Sequence, residues 1–412
     1  MRGKGFLART AGKLFKRSDY YDYSLLAVVI ILICFGLVML YSASAYEAAT
    51  KLHNDMYYFG RQAGISFAAI VLAIVVSLFD YRKLIKWAPV LYILSIILMA
   101  MVKFSPLGFE ALGARRWLDF KIITFQPSEI AKIAVILLAA YMIARMGRKF
   151  GTFRGTMLVF ITVAIPAVSA FFFTENLSTA IIIMGIGVIM IFVAHPKTKW
   201  FLILFGAALG IVILILILMR SGVIQMEGFR FNRVLVWMNP KDHLSDGGYQ
   251  VMQGLYAIGS GGFFGKGLGN STQKITTIPE AQNDMIFSII CEELGLFGAI
   301  ILLLLFGYLL YRLFFIAQNA PDRQGTLIAT GIFAHIALQV VLNICVVLNV
   351  IPTTGVTLPF VSYGGTSVLF LMIEIGLALN VSRQIRFTGE EPAAPKARGR
   401  SPGRAQRGDP EI

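Results

Sequence analysis

The acidic residues of one apolar segment are the first candidates for chemistry in this sequence. The segment PEAQNDMIFSIICEELG covers residues 279–295, with Glu280 near its start, and opens an apolar stretch that continues to about residue 315. Carboxylates are costly beside hydrocarbon, so Asp284, at the threshold of the stretch, requires a physical reason. It can serve as a general base or as the N-cap of the helix that follows, and the residues alone leave both interpretations open.

Two further acids, Glu292 and Glu293, lie deeper in the same stretch. On a helical wheel they fall about 80° and about 180° from Asp284, so the three carboxylates cannot share one face. We therefore expect at least one of them to bond to neighbouring helices. An unbroken helix from Asp284 to about Phe315 would be about 48 Å long, against a hydrocarbon core of about 30 Å, so it would tilt or protrude.

A second ionisable pair occurs in FQPSEIAKIAVILL, where Glu129 and Lys132 lie three residues apart on one helix face, close enough to pair. The pair can be structural, or the lysine can face a cavity that receives phosphate, and both interpretations stay open. Glu374 and His335, in later apolar segments, are expected to be satisfied within the helix bundle.

Basic residues occur in two connections that are predicted to lie on the outer side of the membrane. The connection near 104–127 contains Arg115 and Arg116. The larger one, about 220–284, contains Arg230, Arg233, Lys241, Lys266 and Lys274. Basic residues there oppose the usual orientation bias, and an anionic ligand would explain them. The alternative is that long loops translocate regardless of charge.

Two glycine-rich segments have few charges. SDGGYQVMQGLYAIGSGGFFGKGLGNSTQK is predicted to be interfacial and partly re-entrant, because glycine permits close backbone approach and positive φ. In IPTTGVTLPFVSYGGTS, backbone N–H groups together with Thr366 and Ser367, at the start of the last helix, can face a polar ligand.

The composition indicates the class of protein that carries these residues. Of 412 residues, 57% are hydrophobic and 14% charged, with mean hydropathy +0.74, which predicts an all-α polytopic membrane protein. The net charge of +15 does not indicate nucleic acid, because no nucleic-acid motif is present. Three cysteines, Cys34, Cys291 and Cys345, are expected to be small buried residues.

About ten transmembrane helices are predicted, near 24–43, 63–79, 87–103, 128–145, 156–173, 178–195, 200–219, 285–315, 325–349 and 363–382.

Charge asymmetry orients these spans. Lysines and arginines of the N-terminal segment, of alternate connections and of the C-terminal segment fall on one side, which is therefore predicted to be cytoplasmic. The predicted divisions are a basic N-terminal segment at 1–23, a membrane domain at 24–385 and a disordered cytoplasmic tail at 386–412. The outer loop at about 220–284 joins helices 7 and 8. The first span, 24–43, is long enough to be an uncleaved helix and not a signal peptide.

The ordered set of segments resembles the SEDS family, the group that contains FtsW, RodA and SpoVE. The matching pieces are YSAS (41–44), GARRWL (113–118), QPSEIAK (126–132), GGYQ (247–250), GKGLGNSTQK (265–274), the segment 279–295 and TLPFVSYGGTS (357–367). The last piece is more similar to the FtsW/SpoVE branch than to RodA. Gln282–Asn283 and Met285 depart from the family's usual His-Thr and Phe around the aspartate, and TENLSTA (174–180) lacks its usual Pro-Asp-x-Gly.

The resemblance implies a peptidoglycan glycosyltransferase that polymerises lipid II at the outer face of the cytoplasmic membrane, beside a class B penicillin-binding protein. The family's essential aspartate matches Asp284, its glutamate and lysine on the fourth helix match Glu129 and Lys132, and the arginine before Asn-Pro matches Arg233. Further candidate substrate-binding residues are Arg115, Arg116, Lys274, Glu280, Ser362, Gly364, Gly365, Thr366 and Ser367.

The predicted reaction has Asp284 as general base and cations that stabilise the undecaprenyl pyrophosphate leaving group, in one inverting displacement. Whether a divalent cation, Mg or Mn, assists at the pyrophosphate is left open. A rival hypothesis is a flippase or transporter for the lipid-linked precursor, and a third is a non-catalytic scaffold. The absence of a visible internal repeat counts weakly against an inverted-repeat transporter.

Overall fold

The computed structural model describes residues 20–111, 114–121, 124–220, 229–276 and 281–386. Most of them are helical. The helices are α1 (Tyr23–Leu52), α2 (Tyr57–Leu78), α3 (Tyr81–Leu84), α4 (Ala88–Phe104), α5 (Pro127–Met146), α6 (Phe153–Phe173), α7 (Leu177–Ala194), α8 (Lys199–Arg220), α9 (Phe229–Met238), α10 (Gly248–Gly261), α11 (Gln273–Thr276), α12 (Ile286–Asn319), α13 (Arg323–Val347) and α14 (Ser367–Ser382).

Eight helical segments of the described residues are long and apolar enough to cross a membrane: α1, α2, Tyr81–Phe104, Pro127–Gly151, α6, α7, α12 and α13. The predicted fold class is therefore confirmed. The count of ten stays a prediction, since the apolar α14 has only 16 residues. The predicted loop at 220–284 also stays a prediction, because 221–228 and 277–280 lie outside the described residues. The tail at 386–412 and the N-terminal segment lie almost wholly outside them.

A small antiparallel sheet occupies the connection near 104–127, which the all-α prediction did not anticipate. Its strand order is β1 (Gly108–Ala111), β2 (Ala114–Asp119) and β3 (Thr124–Phe125). Leu118 of β2 is fully buried and pairs with both outer strands. The sheet lies outside the apolar spans, where water can satisfy its unpaired edges. It connects α4 to α5 and carries both arginines of the GARRWL segment.

The bundle centres on α5 and α13, whose side chains are largely buried. Gly331 of α13 packs against α5, since a Cβ at that position would lie 2.8 Å from the Ile136 side chain. Helices α2 and α14 also approach closely, because a Cβ on Gly376 would lie 2.6 Å from the Ala73 carbonyl oxygen. Small residues permit such contacts between membrane helices. Of the three cysteines, Cys291 is buried and Cys345 is half-buried, but Cys34 is exposed on α1, so its predicted burial is wrong.

Helix α12 is broken at Gly295, so the prediction of one unbroken helix of about 48 Å is wrong. Gly295 has φ 67° and ψ −167°, a conformation essentially restricted to glycine. The part after the break, 296–319, is about 36 Å long, which is near the thickness of the hydrocarbon core. The part before the break, which contains Glu292 and Glu293, is a separate short helix that follows Asp284 in the chain.

The backbone groups freed by this break bond to the glycine-rich segment that follows α10. Four bonds of 2.9–3.0 Å join the two backbones: Lys266 N to Glu292 O, Gly267 N to Glu293 O, Leu296 N to Gly262 O, and Phe297 N to Phe263 O. Gly262, Gly265 and Gly267 have positive φ, as the sequence predicted for this segment. Because hydrocarbon offers no hydrogen-bond partners, the break can persist only while this segment is docked.

We expect Gly295→Ala to destabilise the protein. An added Cβ would lie 2.3 Å from Gly265 N, and the conformation itself costs about 1–3 kcal/mol for other residues. Gly307→Ala, later in α12, is the control, because a Cβ there meets nothing within 4 Å. Thermal unfolding in detergent should show a lower midpoint for Gly295→Ala alone. Equal midpoints for the two variants would contradict the interlocked break.

Candidate active site

Asp284 lies in a turn that precedes α12, with its side chain half-buried. The helix begins at Ile286, and its N-cap is Met285, which makes no side-chain capping bond. The interpretation of Asp284 as the N-cap residue is therefore wrong. The Asp284 carboxylate faces the loop between α13 and α14, since a Cβ on Gly355 would lie 4.0 Å from its Oδ2.

The turn that carries Asp284 is fastened on two sides. The Asn343 side chain of α13 donates to the Asp284 carbonyl at 2.8 Å, and its Nδ2 also donates to the Val356 carbonyl at 2.7 Å. On the other side, Tyr363 N donates to the Gln282 carbonyl at 2.9 Å. The α13–α14 loop, residues 348–366, thus lies directly against the aspartate.

Side chains from three helices hold the carbonyls of the segment 353–357 within this loop, which we call the carbonyl loop. Each of four carbonyls accepts a bond from a different side chain. The pairs are Arg233 Nη1 to Thr353 O (3.3 Å), Ser178 Oγ to Thr354 O (2.6 Å), Asn343 Nδ2 to Val356 O (2.7 Å) and Gln339 Nε2 to Thr357 O (3.0 Å). The carbonyl loop therefore connects α7, α9 and α13 at the position that Asp284 faces.

Two of the predicted cations converge beside the carbonyl loop. Arg233 of α9 binds it, and Trp237, one turn later, donates to the Asn349 carbonyl at 2.9 Å. Arg116 of β2 interacts electrostatically with Arg233 and with Glu175. Burial, and secondarily the charge of Arg233, lower the pKa of Arg116, while Glu175 opposes them. Arg116 and Arg233 thus bring two guanidinium groups to this part of the site, and such groups bind anions through charge-assisted hydrogen bonds.

The Arg116 side chain is incompletely satisfied. Its Nε is buried and has no hydrogen-bond partner among the described residues. A buried donor without an acceptor costs about 1–3 kcal/mol, so an acceptor supplied by a ligand would be favoured at this position. Its neighbour Arg115 instead donates through Nη2 to the Gly108 carbonyl at 2.9 Å and thereby ties β2 to β1. Substrate binding by Arg115 stays a prediction.

Glu129 and Lys132 form a buried ion pair of 2.8 Å in the first turns of α5. Glu129 also lies at the positive end of the helix dipole, where a carboxylate is favoured. The predicted pairing is thus present, whereas a contact of Lys132 with phosphate stays a prediction. His335 and Glu374 likewise pair at 2.7 Å through His335 Nδ1, and both are buried, as predicted. The satisfaction predicted for His335 is incomplete, because its buried Nε2 has no hydrogen-bond partner among the described residues.

The hydroxyl groups of the predicted SYGGTS ligands shape the second half of the α13–α14 loop. Ser362 Oγ accepts from Leu358 N at 2.8 Å, Ser367 Oγ donates to Gly364 O at 2.8 Å, and Thr366 Oγ1 donates to Thr124 O at 3.1 Å. The Thr366 bond connects the start of α14 to β3. Gly365 takes φ 49° within this turn. Direct substrate contact by these residues stays a prediction.

Glu292 and Glu293 have structural partners, as expected. Glu292 accepts from Lys266 at 2.6 Å and also from Ser271 and Thr272. Glu293 accepts from Lys274 at 2.6 Å and from Ser42 of α1 at 2.7 Å. The Lys274 side chain is 6% exposed and its charge is compensated. Lys274 thus holds the outer segment on α12 and α1, and its predicted substrate contact stays a prediction.

Some predicted positions carry no structural description. Glu280 lies outside the described residues, as does the side chain of Arg230. Among the residues that the structure does describe, there is no group of three or more His, Cys, Asp or Glu that could hold a metal ion. The chain itself therefore offers no multi-carboxylate metal cage in that part, and a divalent cation held partly by pyrophosphate oxygens stays a prediction.

Asn343 and Gln339 were not singled out from the sequence. They follow His335 at intervals of four on α13, so the three polar side chains share one face of an otherwise apolar helix. That pattern is visible in the sequence. The partners of Asn343 and Gln339 are main-chain carbonyls, however, and every residue has one, so the sequence does not indicate which carbonyls they bond.

Comparison with known proteins agrees with this geometry. Residues 22–387 match the family model for FtsW, RodA and SpoVE, described as a cell cycle protein. The chain belongs to the FtsW/RodA/SpoVE family. It is 34% identical over 366 residues to the stage V sporulation protein E of Bacillus subtilis (strain 168), covering 89% of this chain and 98% of that protein. It is 32% identical to a probable peptidoglycan glycosyltransferase FtsW of Geobacter sp. (strain M18), covering 90% of this chain and 99% of that protein.

Solved structures share the fold. One, from work on the structural coordination of polymerization and crosslinking by a peptidoglycan synthase complex, matches with a TM-score of 0.72 and 28% identity, covering 88% of this chain and 98% of that one. The rod shape determining protein RodA of Thermus thermophilus matches with a TM-score of 0.63 and 27% identity, covering 89% of this chain and 97% of that one.

We expect Lys274→Met to lower the free energy of unfolding by about 3–5 kcal/mol, because it leaves Glu293 buried and uncompensated. Adding Glu293→Gln should recover much of that loss. Lys266→Met is the comparison. It should cost less, since Lys266 is 31% exposed and Glu292 keeps its hydroxyl donors. The measurement is thermal unfolding in detergent. If Lys274→Met unfolds like wild type but binds substrate more weakly, the structural assignment is wrong.

Proposed function

We propose that this protein is a peptidoglycan glycosyltransferase that polymerises lipid II into β-1,4 glycan at the outer face of the cytoplasmic membrane. One observation carries the proposal. The Asp284 carboxylate faces Gly355 in the carbonyl loop, and Arg233 binds the same loop two residues away, at Thr353. A base and a cation are thus held on one short segment, which is the pair that glycosyl transfer from a pyrophosphate requires.

The reaction follows from those two roles. Asp284 accepts the proton of the acceptor N-acetylglucosamine 4-hydroxyl. That oxygen forms a bond to the anomeric carbon of the donor N-acetylmuramic acid, and the bond from this carbon to the pyrophosphate oxygen breaks. The electron pair leaves with undecaprenyl pyrophosphate, a stable anion that needs no general acid. One displacement inverts the anomeric centre, and one carboxylate suffices, whereas a double displacement would need a second carboxylate as nucleophile.

The arginines supply the complementary charge. Arginine stays protonated in proteins even when its pKa is lowered, and its planar fork binds phosphate oxygens. Arg116, with its buried unsatisfied Nε, and Arg233 are therefore the best-placed ligands for the pyrophosphate. The lipid tails would enter sideways between helices.

Orientation and partner form part of the proposal. Asp22 pairs with Arg312 at 2.7 Å, and Arg82 pairs with Asp322 at 2.8 Å. These residues lie at helix ends that the positive-inside pattern assigns to the cytoplasm, which supports cytoplasmic termini and an outer Asp284. A class B penicillin-binding protein is the proposed partner, supported by the structural match to a chain of a peptidoglycan synthase complex.

The flippase hypothesis has less support. A transport path for a charged headgroup needs polar groups along its whole length. The segment of α5 from Ile133 to Ala140 is buried and apolar on all sides, while the cations and Asp284 gather at the outer end of the bundle.

We expect Asp284→Asn to reduce polymerisation of lipid II by at least about 100-fold, because the amide cannot accept the proton. The assay uses purified protein with a class B penicillin-binding protein and measures glycan by gel electrophoresis. Glu110→Gln, which removes an exposed carboxylate of β1, is the control and should polymerise like wild type.

Normal polymerisation by folded Asp284→Asn would refute the general-base role. Translocation of lipid II across a liposome membrane by wild-type protein, with no glycan formed, would instead favour the flippase.

A further inference from the structure

The polar face of α13 contains a residue to which the reaction scheme assigns no part. Asn343 is fully buried, 0% exposed, within an apolar helix. Burying an amide in hydrocarbon surroundings is costly unless it is hydrogen-bonded, so its partners indicate what it does. Because it is buried, Asn343 is not placed to touch a substrate.

The Asn343 amide nitrogen joins two separate segments of chain. It donates at 2.8 Å to the Asp284 carbonyl and at 2.7 Å to the Val356 carbonyl. An amide nitrogen has two hydrogens, and both acceptors are carbonyls, so the orientation of the amide is fixed by its partners. One side chain therefore sets the distance between the main chain of Asp284 and the carbonyl loop.

That distance controls the position of the carboxylate. Asp284 precedes α12, which begins at Ile286, so its main chain lies outside the helix. The Asp284 carboxylate faces Gly355, the residue next to Val356. A shift of the Asp284 main chain relative to Val356 would move the carboxylate relative to the loop that Arg233 binds.

We propose that Asn343 is a positioning residue for the general base. It clamps the Asp284 main chain to the carbonyl loop, so that the carboxylate is held where the acceptor hydroxyl must lie. The inference rests on the proposed glycosyltransferase function and adds to it a residue that acts through Asp284. Misplacement of a catalytic group by about 1 Å costs about 100-fold in rate, so losing the clamp is expected to affect turnover more than binding.

Gln339 provides a matched control one turn earlier on the same face. It is also buried, and its Nε2 donates to the Thr357 carbonyl at 3.0 Å. It therefore holds the same loop from the same helix, but its bond to Thr357 does not reach the Asp284 turn. Asn343→Leu and Gln339→Leu each replace a buried amide with an apolar side chain and differ mainly in whether the aspartate is released.

The test compares kcat and KM for lipid II, together with the thermal unfolding midpoint, for wild type, Asn343→Leu, Asn343→Asp and Gln339→Leu. We expect Asn343→Leu to lose about 10–100-fold in kcat with KM changed less than about threefold. Asn343→Asp, with the same shape but no N–H donor, should also lose kcat. Gln339→Leu should lose clearly less kcat than Asn343→Leu, because the Asp284 turn stays clamped, while its unfolding midpoint falls as much as that of Asn343→Leu.

Several outcomes would overturn the proposal. One is equal loss of kcat in Asn343→Leu and Gln339→Leu. Another is wild-type kcat in folded Asn343→Leu. A third is failure of both Asn343 variants to fold when Gln339→Leu folds, because Asn343 would then be a stability residue. Full activity of Asp284→Asn would instead refute the role of Asp284 as general base. Failure of the proposed function can therefore be distinguished from failure of the Asn343 clamp.

Discussion

The hydrogen bonding of one irregular loop is the constraint on which the site depends. Buried main-chain carbonyls must find donors, and a loop inside a helix bundle has none from regular secondary structure. The four bonded carbonyls of residues 353–357 obtain theirs from Arg233, Ser178, Asn343 and Gln339. Those side chains come from α9, α7 and α13, so satisfying the loop also fixes the position of three helices around it. Asp284 faces the middle of this segment.

A second set of hydrogen bonds and ion pairs holds the outer connection between α8 and α12 in place. The break at Gly295 exposes backbone groups that the segment 262–267 satisfies. Two ion pairs with buried carboxylates, Lys266–Glu292 and Lys274–Glu293, lie at the same junction. Buried charge pairs are strongly destabilising when one partner is removed, so they specify this docking more than they add stability. The junction follows the Asp284 turn by about two helical turns along α12.

Residue types and spacing predicted the features that local physics determines. The fold class, the Glu129–Lys132 pairing and the structural role of Glu292 and Glu293 followed from hydropathy and helical geometry. The helix break did not, because a glycine within an apolar run leaves the hydropathy pattern unchanged and the break needs a partner segment thirty residues earlier. The N-cap alternative for Asp284 could be excluded only by the helix start at Ile286. The roles of Asn343 and Gln339 were also hidden, since side-chain bonds to distant carbonyls depend on tertiary structure.

The most direct test of the central claim, that Asp284 acts as a base in a single displacement, is the fate of lipid II during turnover by purified wild-type protein with its transpeptidase partner. Intact-protein mass spectrometry would follow the enzyme, and NMR would give the anomeric configuration of the glycan. The account predicts unmodified protein, β-linked glycan and one undecaprenyl pyrophosphate released for each bond formed. A glycosyl adduct on Asp284, or an α-linked product, would contradict it.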